Sequence, residues 1–436
     1  MGAGKPAKKR KEHLKRMSHT NTVLTTKRIP LSPTAVCAAI LLVSINGLFF
    51  FKYGLRNIYV HHILMLFGAW TLMVFGIIRT FCWPWIKGRA LKTAYVLLTL
   101  LMLLMVMLLH RLIPAESVQV DRWSALAGFD AYLWQGRFPY EAHTHLEGGY
   151  GSPFPIWQLI HLPFWLMGDV GGAMTFFHFL LSVTLVWSMG WYRALFFMLL
   201  LFVSPAFWYE VAVRSDLIYN MLFTFSLVMM FWKLGWGVRT HTWATALICG
   251  MMLSTRLAVA IPFLVFLFRD FWQAGLKRQI IFLGAGIGVF VLTFLPFMLW
   301  NADFMLHSEV SPIALQTRQG NPFEGLTVLA ICIGLSWWWR NMSQYGFAAA
   351  VSLLFLVVQS MLIRMIENNF ENTLFSPSYD ITYYGMAIPF LLLSVIGCGM
   401  NRPETHETMT DTDPQSHADS ESDKGCPESD LHTDMS

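Results

Sequence analysis

Four carboxylates, Asp121, Asp130, Glu141 and Glu147, stand in a polar stretch between apolar runs, DRWSALAGFDAYLWQGRFPYEAHTHLEGGYGSPFP, from Asp121 to Pro155. Asp121 or Asp130 can act as a general base if a substrate hydroxyl comes within hydrogen-bond reach. Their spacing does not place them on one helix face as an i, i+4 pair, and each also reads as a solvated loop acid or a helix cap. His143 and His145 stand two apart, with Glu141 and Glu147 beside them. These are metal-ligand types, but H-x-H in a loop is a weak motif, so no metal and no other cofactor is expected. Tyr140 adds an aromatic face to the same stretch.

Three further polar stretches offer partners. In SPAFWYEVAVRSDLIYN, Glu210, Arg214 and Asp216 fall within two helical turns. Glu210 and Arg214 are i, i+4, so they pair across one face, or Arg214 faces an anionic group. In NADFMLHSEVSPIALQTRQGNPF stand Asp303, His307, Glu309, Gln316 and Arg318. In RMIENNFENTLFSPSYDITYYGMAIPF stand Glu367, Glu371, Tyr379, Asp380, Tyr383 and Tyr384. Tyrosine rings stack on sugar faces, and amides and carboxylates bond to sugar hydroxyls. Arg256 differs from all of these, because it lies inside the apolar run LICGMMLSTRLAVAIPF. An arginine at membrane depth costs at least ~2.5 kcal/mol, so partners must offset it. Its planar fork matches phosphate oxygens; an internal salt bridge to Glu210 or Asp216 satisfies it equally.

The elements that position these residues are apolar. The chain has 436 residues, 55% of them hydrophobic and 13% charged, with a mean hydropathy of +0.50. Soluble domains carry roughly 25% charged residues. Many runs approach the ~20 residues that cross a bilayer, and backbone in lipid must satisfy itself, so the expected fold is an all-α polytopic membrane protein. Apolar runs place spans near 33–53, 58–80, 92–112, 171–190, 192–208, 217–234, 242–254, 257–269, 279–300, 324–339, 345–364 and 382–399, about 11–12 crossings. The pair 242–254 and 257–269 is short and reads alternatively as two half-length helices meeting at STR. The expected organisation is a basic segment 1–30, helices over 31–112, a large loop 113–170, a helical bundle over 171–399 and an acidic tail 400–436. Both tails lack the apolar surface needed to order them.

Lys and Arg crowd the connections WIKGRALK, WYR, KLGWGVRTH, RDFWQAGLKRQ and WRNM. By the positive-inside rule these, and both termini, face the cytoplasm. The basic N-terminus is read as topological, so no nucleic-acid partner is expected. No secretory cleavage site follows a short apolar core. The connections holding Asp121, Glu210, His307 and Tyr379 then share the other face. Within the first of them, SPFPIWQLIHLPFWLMGD is amphipathic and is expected to lie along the membrane interface, with Trp157 and Trp165 at headgroup level. The six cysteines show no metal-ligand spacing, and no internal repeat is visible.

DRWSALAGFDAYLWQGRFPY followed by GSPFPIWQLIHLPFWLMGDVG resembles the first external loop of the GT-C superfamily of membrane glycosyltransferases, in particular the bacterial polyprenol-phosphate-mannose-dependent branch. The matching pattern is Asp121 just past a span, then Gly136, Pro139 and Tyr140, then Pro153 and Pro155. LLLFVSPAFWYEVAVRSDLIYN and GMMLSTRLAVAIPFLVFLFRD look like later segments of that family, and the likeness covers roughly residues 110 to 300. The chain departs from the pattern in two spans before the usual first one, in Arg122-Trp123 directly after the Asp, and in Arg256 where Lys or Arg varies. The resemblance implies an inverting hexosyltransferase in a bacterial inner membrane. It would move mannose or a similar sugar from a polyprenyl-phosphate donor to a lipid or glycan acceptor. Asp121 would be the base, with Arg256, Arg214 and His307 at the phosphate. Asp130, Tyr140, Glu210, Asp216, Gln316, Tyr379, Tyr383 and Tyr384 would line the acceptor and sugar sites.

Two other functions fit a polytopic chain: a carrier or flippase for lipid-linked sugars, and a non-catalytic subunit of envelope assembly. A carrier needs polar groups toward both faces, whereas the non-basic polar clusters gather on one. A purely structural subunit leaves Arg256 without a ligand.

Overall fold

A computed structural model of the chain describes residues 28–55, 58–146, 148–317, 322–370, 373 and 379–401. Most of the basic N-terminal segment and almost all of the acidic tail lie outside these residues, as do Glu147, Arg318 and Glu371. The described residues form an all-α polytopic membrane protein with no strand among them. Seven helices are long and apolar enough to cross a bilayer. They are α1 (Pro33–Gly54), α2 (Val60–Phe81), α3 (Gly88–Leu112), α6 (Gly172–Phe202), α8 (Asp216–Leu234), α11 (Leu276–Trp300) and α15 (Met342–Asn368). Shorter helices complete the bundle: α4 (Arg122–Trp134), α5 (Pro155–Leu166), α7 (Pro205–Ala212), α9 (Thr242–Leu253), α10 (Ala260–Trp272), α12 (Ala302–His307), α13 (Pro312–Thr317), α14 (Pro322–Trp338) and α16 (Ile388–Ile396). A 3₁₀ segment, Ile381–Ala387, leads into α16.

Local sequence explains the helix ends. Ser32 caps α1 through a 3.2 Å bond from the Ala35 N–H, and Pro33 fits the first turn. Gly235 ends α8 in the left-handed conformation at φ 67°. The large exposed side chains of α2, α3 and α11, among them Leu72, Leu104 and Leu292, form apolar faces. Such faces suit lipid and would be costly in water.

Residues 171–212 trace a hairpin rather than one long rod. Gly190, at φ 79° and ψ 163°, interrupts α6. Before it, the Ser182 carbonyl accepts a 2.6 Å bond from Tyr95. Just after it, Trp191 packs on Tyr95 at 5.7 Å, and further on the Val203 carbonyl accepts from Trp70 at 2.6 Å. The chain thus descends along α3, turns at Gly190 and climbs along α2. A second break follows at Val203–Ser204. Asn46, fully buried in α1, accepts there from Ser204 Oγ at 2.8 Å and from the Ala206 N–H at 3.1 Å. Broken helices persist at membrane depth only where such partners satisfy the backbone.

The second hairpin is the alternative read at STR. α9 and α10 are 12 and 13 residues long and meet at Ser254–Arg256. Arg239, before α9, and Asp270, near the end of α10, are joined at 2.6 Å, so both helices start and finish at the same end of the bundle. Its tip is satisfied by α5: the Thr255 and Ser254 carbonyls accept the Phe154 and Ile156 N–H groups, both at 3.0 Å.

The bundle therefore has two ends. One collects Ile29, Cys82, Arg193, Asn341 and Cys398, tied by bonds such as Ile29 N–H to the Cys82 carbonyl at 3.0 Å and Arg193 to the Cys398 carbonyl at 3.0 Å. The basic connections lie there. The opposite end collects α4, α5, α7 and the segment from Tyr379 on, and it holds the candidate site.

Close helix approach needs small residues. A Cβ on Gly250 of α9 would collide with the Gly286 carbonyl of α11, whereas one on Gly284 meets nothing within 4 Å. Gly250→Val is expected to lower stability by about 1–3 kcal/mol. Gly284→Ala should leave the melting temperature in detergent unchanged. Equal melting of both variants would contradict the packing.

Candidate functional site

The site is built on the tip of the α9–α10 hairpin. Arg256 follows the last turn of α9 with extended backbone, which throws its side chain across the bundle. Its Nη2 donates to both Asp216 oxygens, at 2.9 and 2.7 Å, and its Nε reaches Asp216 Oδ2 at 3.2 Å. Asp216 also accepts from Trp157 Nε1 at 2.6 Å. Arginine and aspartate are 5% and 1% exposed, so this is a buried, hydrogen-bonded ion pair. Of the two bridges open to Arg256 from sequence, the one to Asp216 forms.

Beside the pair lies a cavity of about 620 Å³. Its polar wall carries Arg256, Ser152, Gln316, Glu324, Ser360, Tyr379 and Tyr383, and the rest is apolar, including Leu257, Ile261, Val328, Leu356 and Met386. Gln316 braces the tip: its Nε2 donates to the Ser152 carbonyl at 2.9 Å, and its Oε1 accepts the Leu257 N–H at 3.3 Å. The Tyr379 hydroxyl donates to the Val357 carbonyl at 2.7 Å, and the Tyr379 carbonyl accepts from buried Lys52 of α1 at 2.7 Å.

A second network closes the same end. Arg122, the first residue of α4, donates to Ser215 Oγ at 2.6 Å, Asp380 Oδ2 at 2.5 Å and Thr382 Oγ1 at 2.7 Å. It lies 3.7 Å from Glu210, and its guanidinium stacks over Tyr383 at 5.2 Å. Burial works against its charge, but Asp380 and Glu210 more than offset that, holding its pKa above the ordinary arginine value. Tyr383 thus has Arg122 over its ring while lining the cavity.

The structure separates the remaining sequence candidates. Asp121 is partly buried, accepts from Thr144 Oγ1 at 3.2 Å and does not line the cavity. Its carbonyl starts α4, but its carboxylate caps nothing. Arg214 does not pair with Glu210 and does not face the cavity. With φ 49°, it donates to the Ile113 carbonyl at 3.0 Å and the His110 carbonyl at 2.5 Å, which satisfies the end of α3. His307 is 75% exposed, is bonded to Asp303 at 3.1 Å and does not line the cavity. Glu210 is fully buried behind Arg122 rather than open to a ligand. Tyr140 is buried among Phe129, Phe138 and Phe297, its hydroxyl on the Pro153 carbonyl at 3.3 Å. Tyr384 bonds Met361 Sδ at 3.0 Å and stays outside the lining. Trp157, expected at headgroup level, is fully buried because its indole N–H serves Asp216.

His145 is used locally, with Nδ1 on Ser124 Oγ at 2.7 Å and Nε2 on the Val118 carbonyl at 3.0 Å. Among the described residues no group of three or more His, Cys, Asp or Glu is placed to hold a metal ion. Sequence reading missed Arg122 as a hub and Glu324 as a cavity residue. Glu324 stands in the first turn of α14 behind Pro322, a pattern that reads as an ordinary helix start. No protein-family model, curated protein or solved structure matches this chain.

Asp130 is the outlier. It is fully buried, and neither carboxylate oxygen has a hydrogen-bond partner. Burial pushes its pKa from 3.8 up to about 8, so at neutral pH it is a neutral acid and not a ready base. Between those values the folded carboxyl keeps a proton that the unfolded chain has released, so stability falls as pH rises through that window. Asp130→Asn removes the dependence. Its melting temperature relative to wild type is expected to shift in the variant's favour from about pH 5 to about pH 8. A gap that does not change with pH would show Asp130 to be ionised in the fold.

Proposed function

We propose that the protein is a membrane glycosyltransferase. It takes a hexose from a polyprenyl-phosphate donor and passes it to a lipid or glycan acceptor on the face away from the basic connections. One observation carries this reading: a largely apolar cavity inside a membrane bundle with a guanidinium in its wall. That combination suits an amphiphile with a hydrocarbon tail and an anionic head. Arg256, held in place by Asp216, would meet the phosphate as negative charge returns to it when the sugar leaves. Asp121, one residue from the Arg122 hub, is the base that the resemblance supplies. The acceptor hydroxyl would approach from its side, lose a proton to the carboxylate and attack the anomeric carbon opposite the phosphate, with inversion. Arg214 and His307 have no part in this version, because their contacts lie elsewhere.

The carrier reading draws on the position of Asp121 outside the cavity lining, and the same experiment separates the two. Arg256→Met combined with Asp216→Asn removes the ion pair without stranding a buried charge. Purified in nanodiscs, this double variant is expected to melt near wild type and to bind polyprenyl phosphate at least about tenfold more weakly, as befits a lost charged hydrogen bond. Unchanged affinity would contradict the phosphate role of Arg256. Asp121→Asn should keep that affinity and reduce sugar transfer by on the order of 10²-fold or more. Wild-type protein that binds the donor and transfers nothing would leave the carrier.

A further inference from the structure

A second hollow lies at the end of the bundle that holds the basic connections. Helices α2 and α3 each pack on α6. Between them runs a groove of about 430 Å³, floored by Leu195 and Leu199 of α6. Its α2 wall is the stripe Met73, Gly76, Ile77 and Thr80. Seven residues of helix rise about 10 Å, which is two thirds of one leaflet's share of a hydrocarbon core about 30 Å thick. Met73 and Gly76 are exposed, so the groove opens on the outside of the bundle. Only Thr80 and Trp85 bring polar side-chain atoms to its lining, and the Thr80 hydroxyl already donates to the Gly76 carbonyl at 2.8 Å. The interior therefore suits a hydrocarbon chain rather than a polar ligand.

The mouth of the groove is cationic. Arg79 adjoins Thr80 and Lys87 adjoins Ile86, both lining residues, so each cation starts about 3.8 Å along the chain from the groove. Lys92 stands two residues before the lining residue Ala94, with its ammonium 5.6 Å over the ring of Trp191, one turn before Leu195. Arg89 lies in the first turn of α3. All four are exposed, and none forms an ion pair among the described residues. The walls supply no counter-charge, because the sequence has no Asp or Glu from 13 to 115 and none in α6. Trp83 and Trp85, both exposed, stand in the same connection, and indoles favour the membrane interface.

We propose that this groove binds one anionic phospholipid, with an acyl chain along the α2 stripe and the headgroup phosphate among Arg79, Lys87, Arg89 and Lys92. Basic pockets between membrane helices recognise anionic headgroups in this way. Bulk lipid covers the apolar faces of α2 and α3 whatever its charge, whereas cations without a counter-charge at the end of a recess select for negative lipid. The site shares no residue with the Arg256 cavity and stands whether or not the protein transfers a sugar.

The test titrates phosphatidylglycerol and phosphatidylcholine with identical acyl chains onto the delipidated full chain in detergent, read by native mass spectrometry. Wild-type protein is expected to hold one phosphatidylglycerol about tenfold or more tightly than phosphatidylcholine, and Lys87→Gln combined with Arg89→Gln should remove that preference. Gly76→Leu fills the groove: a Cβ there meets nothing within 4 Å, so the lipid-free variant should melt as wild type does. It is expected to bind phosphatidylglycerol about tenfold more weakly, because the acyl chain loses its apolar seat. Gly68→Leu, on the same helix with the same open space but outside the lining, should bind as wild type. Equal affinity of wild-type protein for the two lipids would leave only bulk lipid and overturn the site. Full binding by Gly76→Leu, or an equal loss in Gly68→Leu, would remove the groove from the account and overturn it as well.

Discussion

The buried ion pair between Arg256 and Asp216 is the constraint around which this end of the bundle is organised. A guanidinium at membrane depth is costly alone. Here three short donor–acceptor contacts to one carboxylate, plus the Trp157 indole, satisfy both charges. Removing one partner of such a pair typically costs about 3–5 kcal/mol, because the other is left buried and uncompensated. The pair joins three elements: the tip of the α9–α10 hairpin, the start of α8 and the first turn of α5. The interrupted backbone at Ser254–Thr255 depends on the same junction, since its carbonyls accept N–H groups from the α5 start. A cavity can exist beside this break because the freed polar groups have partners.

Arg122 plays a corresponding part for the connections. It binds the first polar connection to α7 through Glu210 and to the last one through Asp380 and Thr382. Tyr383 is sandwiched between that network and the cavity. The first two helices, α1 and α2, are integral to this arrangement. α1 supplies Asn46 to the broken helix at Ser204 and Lys52 to the Tyr379 carbonyl. α2 supplies Trp70 to the Val203 carbonyl. The N-terminal helices thus brace the broken helix at Val203–Ser204 and, through Lys52, the Tyr379 side of the cavity.

Much of this was legible in the residues. Most of each apolar run marked as a span appears as helix, because backbone in lipid must satisfy itself, but 192–208 is broken at Val203–Ser204 and, among the described residues, seven helices rather than 11–12 are long and apolar enough to cross a bilayer. Arg256 announced itself through cost: an arginine in an apolar run must have a partner, and Asp216 was one of two on offer. The STR interruption was visible as two runs too short to cross alone. What stayed hidden was which polar side chains share a hollow. Arg122 and Asp380 meet from opposite ends of the chain, and nothing local to either predicts it. Arg214, His307, Tyr140 and Asp130 have the right chemical types, yet the fold gives them to a helix end, an exposed i, i+4 pair, an aromatic cluster and an unpartnered burial. Trp157 misled for a related reason, since an amphipathic aromatic helix looks alike whether its indole faces headgroups or a buried carboxylate. Glu324 was overlooked because an acid in a first helical turn usually needs no further explanation.

The most direct measurement is an electron-density map of the full chain in nanodiscs with a polyprenyl phosphate bound. The account predicts the phosphate within hydrogen-bond distance of the Arg256 guanidinium and the prenyl chain along Leu257, Ile261 and Leu356. A phosphate seated anywhere else, with Arg256 and Asp216 still paired beside an empty or lipid-filled cavity, would contradict it.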